Sequence, residues 1–214
     1  MTSSAPRTDI GIAVFAKAPV AGEVKTRLAR LLGDEGAAAL HSGLVRHALS
    51  AAVQSRIGAV ELWCAPDESH SFFERCAREF GVALRRQQGA DLGERMSHAF
   101  DAAFAAGGAL IVTGSDCPVL REDSLQAAAA ALREHDAVIA PAEDGGYVLV
   151  GLARPVDALF EGIAWGTGAV MAQTRARLAQ AQARWKELPT LWDVDRPEDY
   201  ARLQQEGLLR EVLS

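Results

Sequence analysis

A chain of 214 residues, 49% apolar and 23% charged, has the size and composition of one soluble globular domain that buries roughly 70% of its unfolded surface without staples. A net charge of −6 argues against a nucleic-acid coat, three cysteines without a C-x-x-C pair argue against a disulfide framework, and five histidines off metal-ligand spacing argue against a zinc centre. No run approaches the roughly eighteen apolar residues of a membrane span, and "MTSSAPRTD" has no apolar signal core, so the sequence predicts a flexible N-terminus over 1–9, one domain over 10–214, no membrane insertion and a cytoplasmic location.

The elements follow in chain order. "IGIAVFA" (10–16) is a continuous apolar run ending at a proline turn, which predicts a strand buried on both faces. Ala37, Leu40, Leu44, Val45, Ala48 and Ala52 then recur at helical spacing. "GAVELWCAP" (58–66) predicts a second strand, "SHSFFERCAREF" a helix stopped by Gly81, and "VALRRQQ" a short strand. Leu92, Met96, Phe100 and Phe104 mark a helix face that ends at Gly107 and Gly108.

"ALIVTGSD" (109–116) predicts a fourth strand, and the alanine-rich segment a helix to about His135. "AVIAPA" and "YVLVGL" are strands joined by "EDGG", too close for a crossover helix, so one of them runs antiparallel. A helix follows "WGTG", a short strand lies near "WKEL", and a last helix follows "DRPED". Alternating strands and helices predict an α/β fold of three layers, a mostly parallel mixed sheet covered on both faces. Ligands in such sheets bind beyond the carboxyl ends of the strands. "KAPVAGEVKTR", "GSDCP" and "EDGGY" each follow or connect a strand, so they are expected to converge on one crevice.

The first of these carries Lys17, Lys25 and Arg27 around Gly22 at a strand-to-helix turn, the setting in which backbone N–H groups and cations hold a diphosphate or triphosphate. Neither the P-loop nor the G-x-G-x-x-G pattern is met; the bland reading is a solvated loop whose cations keep it soluble. Asp116 follows a buried strand, where a carboxylate beside bound phosphates suits Mg2+ or Mn2+, and where Asp also serves as a turn or cap residue. Asp144, with Gly145 and Gly146, reads either as a hairpin turn or as a carboxylate for a hydroxyl or metal, with glycines that admit a substrate to the backbone.

Asp91 and Glu94 form a D-x-x-E capping arrangement, while Gly93 and Arg95 on the same stretch could contact a base or ribose. Trp165 is either core or a stacking surface, and Thr167 an N-cap. Near the end, Asp195, Pro197 and Glu198 read as a helix start, which leaves Asp193 as a carboxylate that capping does not explain.

Together, "FAKAPVAGEVKTRL", "DLGERM", "GSDCPVL", "APAEDGGYVLVGL", "WGTGAV" and "DVDRPEDY" resemble, in order and over nearly the whole chain, a bacterial family assigned as glycosyltransferases. Its fold is the Rossmann-like GT-A, or nucleotide-diphospho-sugar transferase, fold, and some members are associated with radical-SAM gene neighbourhoods and arsenosugar biosynthesis. A more distant similarity is to 2-phospholactate guanylyltransferase and molybdenum-cofactor nucleotidyltransferases. The resemblance implies a nucleotide or nucleotide-sugar donor over the first loop, with Ala16, Lys17, Pro19, Gly22, Lys25, Arg27, Gly93, Arg95 and Ser115 as nucleotide contacts. It implies Mg2+ or Mn2+ at Asp116, although "SDC" stands where many metal-dependent glycosyltransferases carry D-x-D.

Lys25, Arg27, Asp116 and Asp144 are then the candidate catalytic residues, and Gly145, Gly146, Tyr147, Trp165, Thr167 and Asp193 face a small-molecule acceptor, with Asp144 or Asp193 orienting or deprotonating its hydroxyl. Three functions fit: metal-assisted glycosyl transfer from a nucleotide-diphospho-sugar, nucleotidylyl transfer from a nucleoside triphosphate with pyrophosphate release, and nucleotide binding without catalysis.

Overall fold

A computed structural model describes residues 9–213. Of the expected flexible stretch, residues 1–8 lie outside the described residues, while the Asp9 carbonyl accepts the Ala109 N–H at 2.9 Å.

Seven strands form one sheet: β1 Ile10–Lys17, β2 Val60–Ala65, β3 Ala83–Arg86, β4 Ala109–Thr113, β5 Ala137–Pro141, β6 Tyr147–Leu152 and β7 Trp185–Glu187. Their order is β3-β2-β1-β4-β6-β5-β7. Every pairing is parallel except the two made by β6, which runs against β4 and β5, as the short "EDGG" connection requires. The helices are α1 Ala29–Gln54, α2 Ser71–Phe80, α3 Leu92–Ala105, α4 Glu122–Leu132, α5 Val170–Gln180, α6 Pro197–Gln205 and α7 Leu209–Leu213.

Alternation along β1 builds both cores. Ile10, Ile12, Val14 and Ala16 pack with Val45, Leu49, Phe73 and Leu125 from α1, α2 and α4. Ala13 and Phe15 pack on the other face with Met96 and Phe100 of α3 and Met171 and Leu178 of α5. A third cluster joins Leu28, Leu40 and Leu44 to Trp192, Val194, Leu203 and Val212, which fastens the C-terminal helices to α1.

Several local expectations shift. β4 stops at Thr113, where its pairing with β6 ends, so Gly114, Ser115 and Asp116 leave the sheet as a loop. The alanine-rich helix ends at Leu132. Leu92 is 43% exposed because it opens α3 on the solvent side, and the buried stripe is Met96, Ala99 and Phe100. Asp91 does cap α3, accepting the Glu94 N–H at 2.9 Å, and Glu94 returns to the Ala90 N–H at 2.8 Å.

At α6 the capping carboxylate is Asp199, which accepts the N–H groups of Asp195 and Arg196 at 3.0 and 2.7 Å; Asp195 is turned instead toward Arg27. Thr167 lies two residues ahead of the cap of α5 at Ala169, and its hydroxyl donates to the Ala164 carbonyl at 2.7 Å. α7 had no counterpart among the expected elements.

Gly151 of β6 lies under α4, where an added Cβ would stand 2.8 Å from Val138 Cγ1 and 2.9 Å from Leu132 Cδ1. Gly151→Ala is expected to destabilise the fold by about 1–3 kcal/mol through overpacking, read as a lower urea midpoint at unchanged m-value.

Candidate functional site

Strand order reverses at β1: the chain runs outward through β2 and β3, then returns to β1's other side as β4. Such a switch leaves a crevice beyond the carboxyl ends of the two central strands. The three expected stretches meet there, with a fourth, residues 191–196.

The first loop leaves β1 at the exposed Lys17 and turns through Gly22 at φ 82°, a conformation that favours glycine. Lys25 is also left-handed, at φ 48° and ψ 38°, and starts the 3-10 turn Thr26–Leu28 that leads into α1. Its side chain is only 4% exposed. The ammonium donates to Asp116 Oδ1 at 2.8 Å and to the Val194 carbonyl at 2.6 Å, and the Val194 N–H donates to the Asp116 carbonyl at 2.9 Å. Arg27 pairs at the rim with Asp195. Two of the three cations expected to face phosphates, Lys25 and Arg27, are therefore already paired, because the loop folds down onto the Asp116 and 191–196 segments.

Asp116 opens to solvent, its side chain 44% exposed. Desolvation pushes its carboxyl upward, but the Lys25 ammonium, with smaller help from the Ser115 hydroxyl, outweighs this and holds it below the usual range. The Ser115 hydroxyl reaches Asp116 Oδ1 at 3.4 Å. Asp193 behaves oppositely: burial first, then the Asp144 and Asp116 carboxylates, push it up to about 6.

Asp144 is exposed and accepts the Gly146 N–H at 2.8 Å, closing the turn between β5 and β6. That turn is tied to the 191–196 segment by the Glu143 N–H to the Leu191 carbonyl at 3.0 Å. Gly145, at φ 89°, faces the Gly168 backbone so closely that a Cβ would collide with its carbonyl. Chain packing thus accounts for this glycine, where substrate approach had been one reading. Gly93 is similar: a Cβ there would stand 2.8 Å from both the Phe160 carbonyl and Trp165 Nε1.

Trp165 packs edge-on to Tyr147 at 6.3 Å and against Phe160, so its ring is partly absorbed by the core. Tyr147, whose phenol burial pushes upward, directs its hydroxyl at Met96 Sδ, 3.9 Å away. Arg95 folds back onto the Gly89 carbonyl at 3.1 Å. Ala16 is buried within β1, and Pro19 is half-buried in the loop that follows.

Two neighbours were not foreseen. His41, inside the apolar pattern of α1, donates its Nε2–H to the Lys17 carbonyl at 3.0 Å, while Nδ1 lies 3.8 Å from Asp116 Oδ1 without a hydrogen-bond partner. Burial lowers its pKa below the ordinary value, against the pull of Asp116, so the ring is neutral. Gln87, read only as strand, donates to the Ala16 and Trp63 carbonyls at 3.3 and 2.7 Å and fixes the end of β1. A histidine within an apolar helix face was the available signal for the first; the second gave none.

Among the described residues, no three His, Cys, Asp or Glu side chains are grouped to hold an ion alone. A cation shared with phosphate oxygens needs only one or two carboxylates. Asp116 and Asp193 are the carboxylates that could meet that requirement, Asp193 being raised first by burial and then by the neighbouring Asp144 and Asp116 carboxylates. A separate groove of about 730 Å3 runs beside α3, lined by residues such as Glu61, Trp63, Arg85 and His98, and includes none of these carboxylates.

Comparison with known proteins shows what the chain as a whole resembles. Residues 48–167 match the family described as "Uncharacterized protein conserved in bacteria (DUF2064)". A provisionally assigned nucleotide-diphospho-sugar transferase from Desulfovibrio desulfuricans G20 is similar at 30% identity and a TM-score of 0.81, over 96% of this chain and 98% of that one. A nucleotidyl transferase from Methanothermobacter (16% identity, TM-score 0.66, 96% and 99% covered) shares the fold. So does the inositol-1-phosphate CTP transferase from T. maritima (12%, 0.61, 96% and 96%). No curated protein sequence matches.

Asp193 keeps its proton to about pH 6 when folded, but loses it near the ordinary aspartate value of ~3.9 when unfolded. The folded state binds more protons between those values, so this group's contribution to stability falls as pH rises through the interval. In metal-free protein, Asp193→Asn is expected to raise stability at about pH 7.5 by on the order of 1 kcal/mol after screening, and to do much less at about pH 4. Paired thermal melts at the two pH values test this; an equal gain at both would contradict it.

Proposed function

The chain belongs to the DUF2064 family of bacterial proteins, and from that premise we propose that it is a nucleotide-dependent transferase that moves a glycosyl group from a nucleotide-diphospho-sugar to a small-molecule acceptor. The observation that carries the reading is the gathering of Asp116, Asp144 and Asp193 at the carboxyl ends of β1 and β4, with Asp116 paired to the buried Lys25 ammonium. Likeness to the Desulfovibrio protein, described as a nucleotide-diphospho-sugar transferase, supports the same donor class.

In this reading the first loop receives the diphosphate. Lys17 is exposed at its start, Gly22 allows the turn, and Lys25 and Arg27 bring positive charge to the oxygens on which negative charge develops. Asp116 and Asp193 would hold Mg2+ or Mn2+, which would supply further neutralisation of the leaving diphosphate. Asp193 would release its proton to take that part. Asp144 is exposed on the opposite side of the crevice, its Oδ1 already set by the Gly146 N–H, and would orient the acceptor hydroxyl.

A second reading is nucleotidylyl transfer from a nucleoside triphosphate. It draws support from the two candidate metal carboxylates lying on separate loops, with Gly114 and Pro118 flanking Asp116 where a D-x-D would need another acid.

Thermal-shift measurements with nucleoside diphosphates, triphosphates and nucleotide sugars, each with and without Mn2+, test the binding. A ligand at a hundred times its Kd stabilises by about 2.7 kcal/mol. A cation-dependent shift with a nucleotide sugar is expected, with release of a nucleoside diphosphate on adding acceptor. Asp116→Asn is expected to lower kcat about a hundredfold or more. Pyrophosphate release from a triphosphate would establish the second reading, and binding without either product would make the protein a non-catalytic nucleotide binder.

A further inference from the structure

We propose that the pocket filled by the Lys25 ammonium is itself a divalent-cation site of mixed donors, Asp116 Oδ1, the Val194 carbonyl and His41 Nδ1, and that Lys25 is its displaceable occupant. This rests on the reading above for why a cation comes to Asp116, and it adds the position, the donor set and the metal preference.

The ammonium is held by two oxygens, at 2.8 Å from Asp116 and 2.6 Å from Val194. His41 stands beside the same Asp116 oxygen. A carbonyl can only accept, so the 3.0 Å contact between Nε2 and the Lys17 carbonyl puts the ring proton on Nε2 and leaves a lone pair on Nδ1. The His41 side chain is 6% exposed, and Nδ1 is one of three buried side-chain polar atoms without a partner among the described residues. It lies 3.8 Å from Asp116 Oδ1, another acceptor. Two acceptors turned toward one another in a buried place are stable only beside positive charge, and an unpaired buried acceptor marks a position some ligand completes.

Two side chains and a carbonyl form an incomplete shell, which the Asp193 carboxylate, phosphate oxygens and water would finish. The imidazole nitrogen biases the set toward Mn2+ and later transition metals over Mg2+. The pocket exchanges one positive charge for two as the ammonium leaves toward the incoming phosphates and the divalent cation takes its place. Metal and phosphate should therefore bind cooperatively, since metal alone leaves the ammonium without an anion and phosphate alone lacks the charge of the metal and of the released ammonium.

The test uses Mn2+ as the probe, followed by the electron paramagnetic resonance signal of the free ion, without nucleotide. Lys25→Met empties the pocket of charge at similar volume and is expected to bind Mn2+ at least about tenfold tighter than wild type. Adding His41→Gln, whose amide keeps a donor for the Lys17 carbonyl but removes Nδ1, should return affinity toward the wild-type value and narrow the preference for Mn2+ over Mg2+. No gain in Lys25→Met, or a gain that survives His41→Gln, would overturn the proposal. Should Lys25→Met fail to fold, wild-type protein gives the answer through amine labelling read by mass spectrometry: Lys25 modification is expected to rise at saturating Mn2+, and unchanged protection would overturn the exchange. These readouts need no turnover, so failure of the transferase reading is detected separately by its product assay.

Discussion

A buried ammonium needs paired acceptors, and the way Lys25 meets that need organises the crevice. Its two partners come from the loop after β4 and from a segment 169 residues away in sequence, so one charge fixes three stretches of chain at once. Removing one partner of a buried pair costs several kcal/mol, because the charge left behind has lost water as well as its counter-ion. The fixation continues outward. Val194 is wholly buried among Leu28, Leu40, Leu44 and Trp192, which makes its carbonyl a rigid acceptor. His41 and Gln87 hold the carbonyls at the end of β1, so the first loop leaves the sheet from a defined point.

The sheet supplies the other half of the arrangement. Reversal of strand order at β1 brings the ends of β1 and β4 side by side. The reversed direction of β6 then delivers the Asp144 turn to the same end, because an antiparallel strand begins where its parallel neighbours finish. Gly145 and Gly168 touch backbone to backbone across that turn, and the Met171 N–H donates to the Gly145 carbonyl at 2.8 Å. The Trp165 loop is thereby docked on the acidic side of the crevice.

The fold was legible because strong periodicity and turn chemistry coincide along most of the chain. The apolar run of β1, the Gly81 stop after α2 and the Asp91 cap of α3 each follow from local rules, and the short connection into β6 forces its direction. What remained hidden depends on long-range approach. Lys25 looked like a solvent-facing phosphate ligand because nothing nearby in sequence reveals that Val194 and Asp116 close over it. His41 was concealed by its apolar neighbours on α1, and Asp199 took the capping role expected of Asp195 because Arg27 draws Asp195 away. The glycines of the Asp144 turn looked permissive for a ligand, although the contact that demands Gly145 is made by the chain itself.

The reversed β6 also divides the crevice into two walls of different construction. One wall of the crevice comes from the βα units around β1 and β4 together with residues 191–196, while the other is a hairpin turn and the long connection that follows β6. Residues 153–169 carry no helix or strand and pack on α3, through the close approach to Gly93 and the stacking of Phe160 on Phe100. Insertions and exchanges in that connection can reshape what is accepted opposite the phosphates while leaving Lys25 and Asp116 undisturbed. A scaffold split in this way can diversify one half of its chemistry by loop replacement, with the other half inherited unchanged.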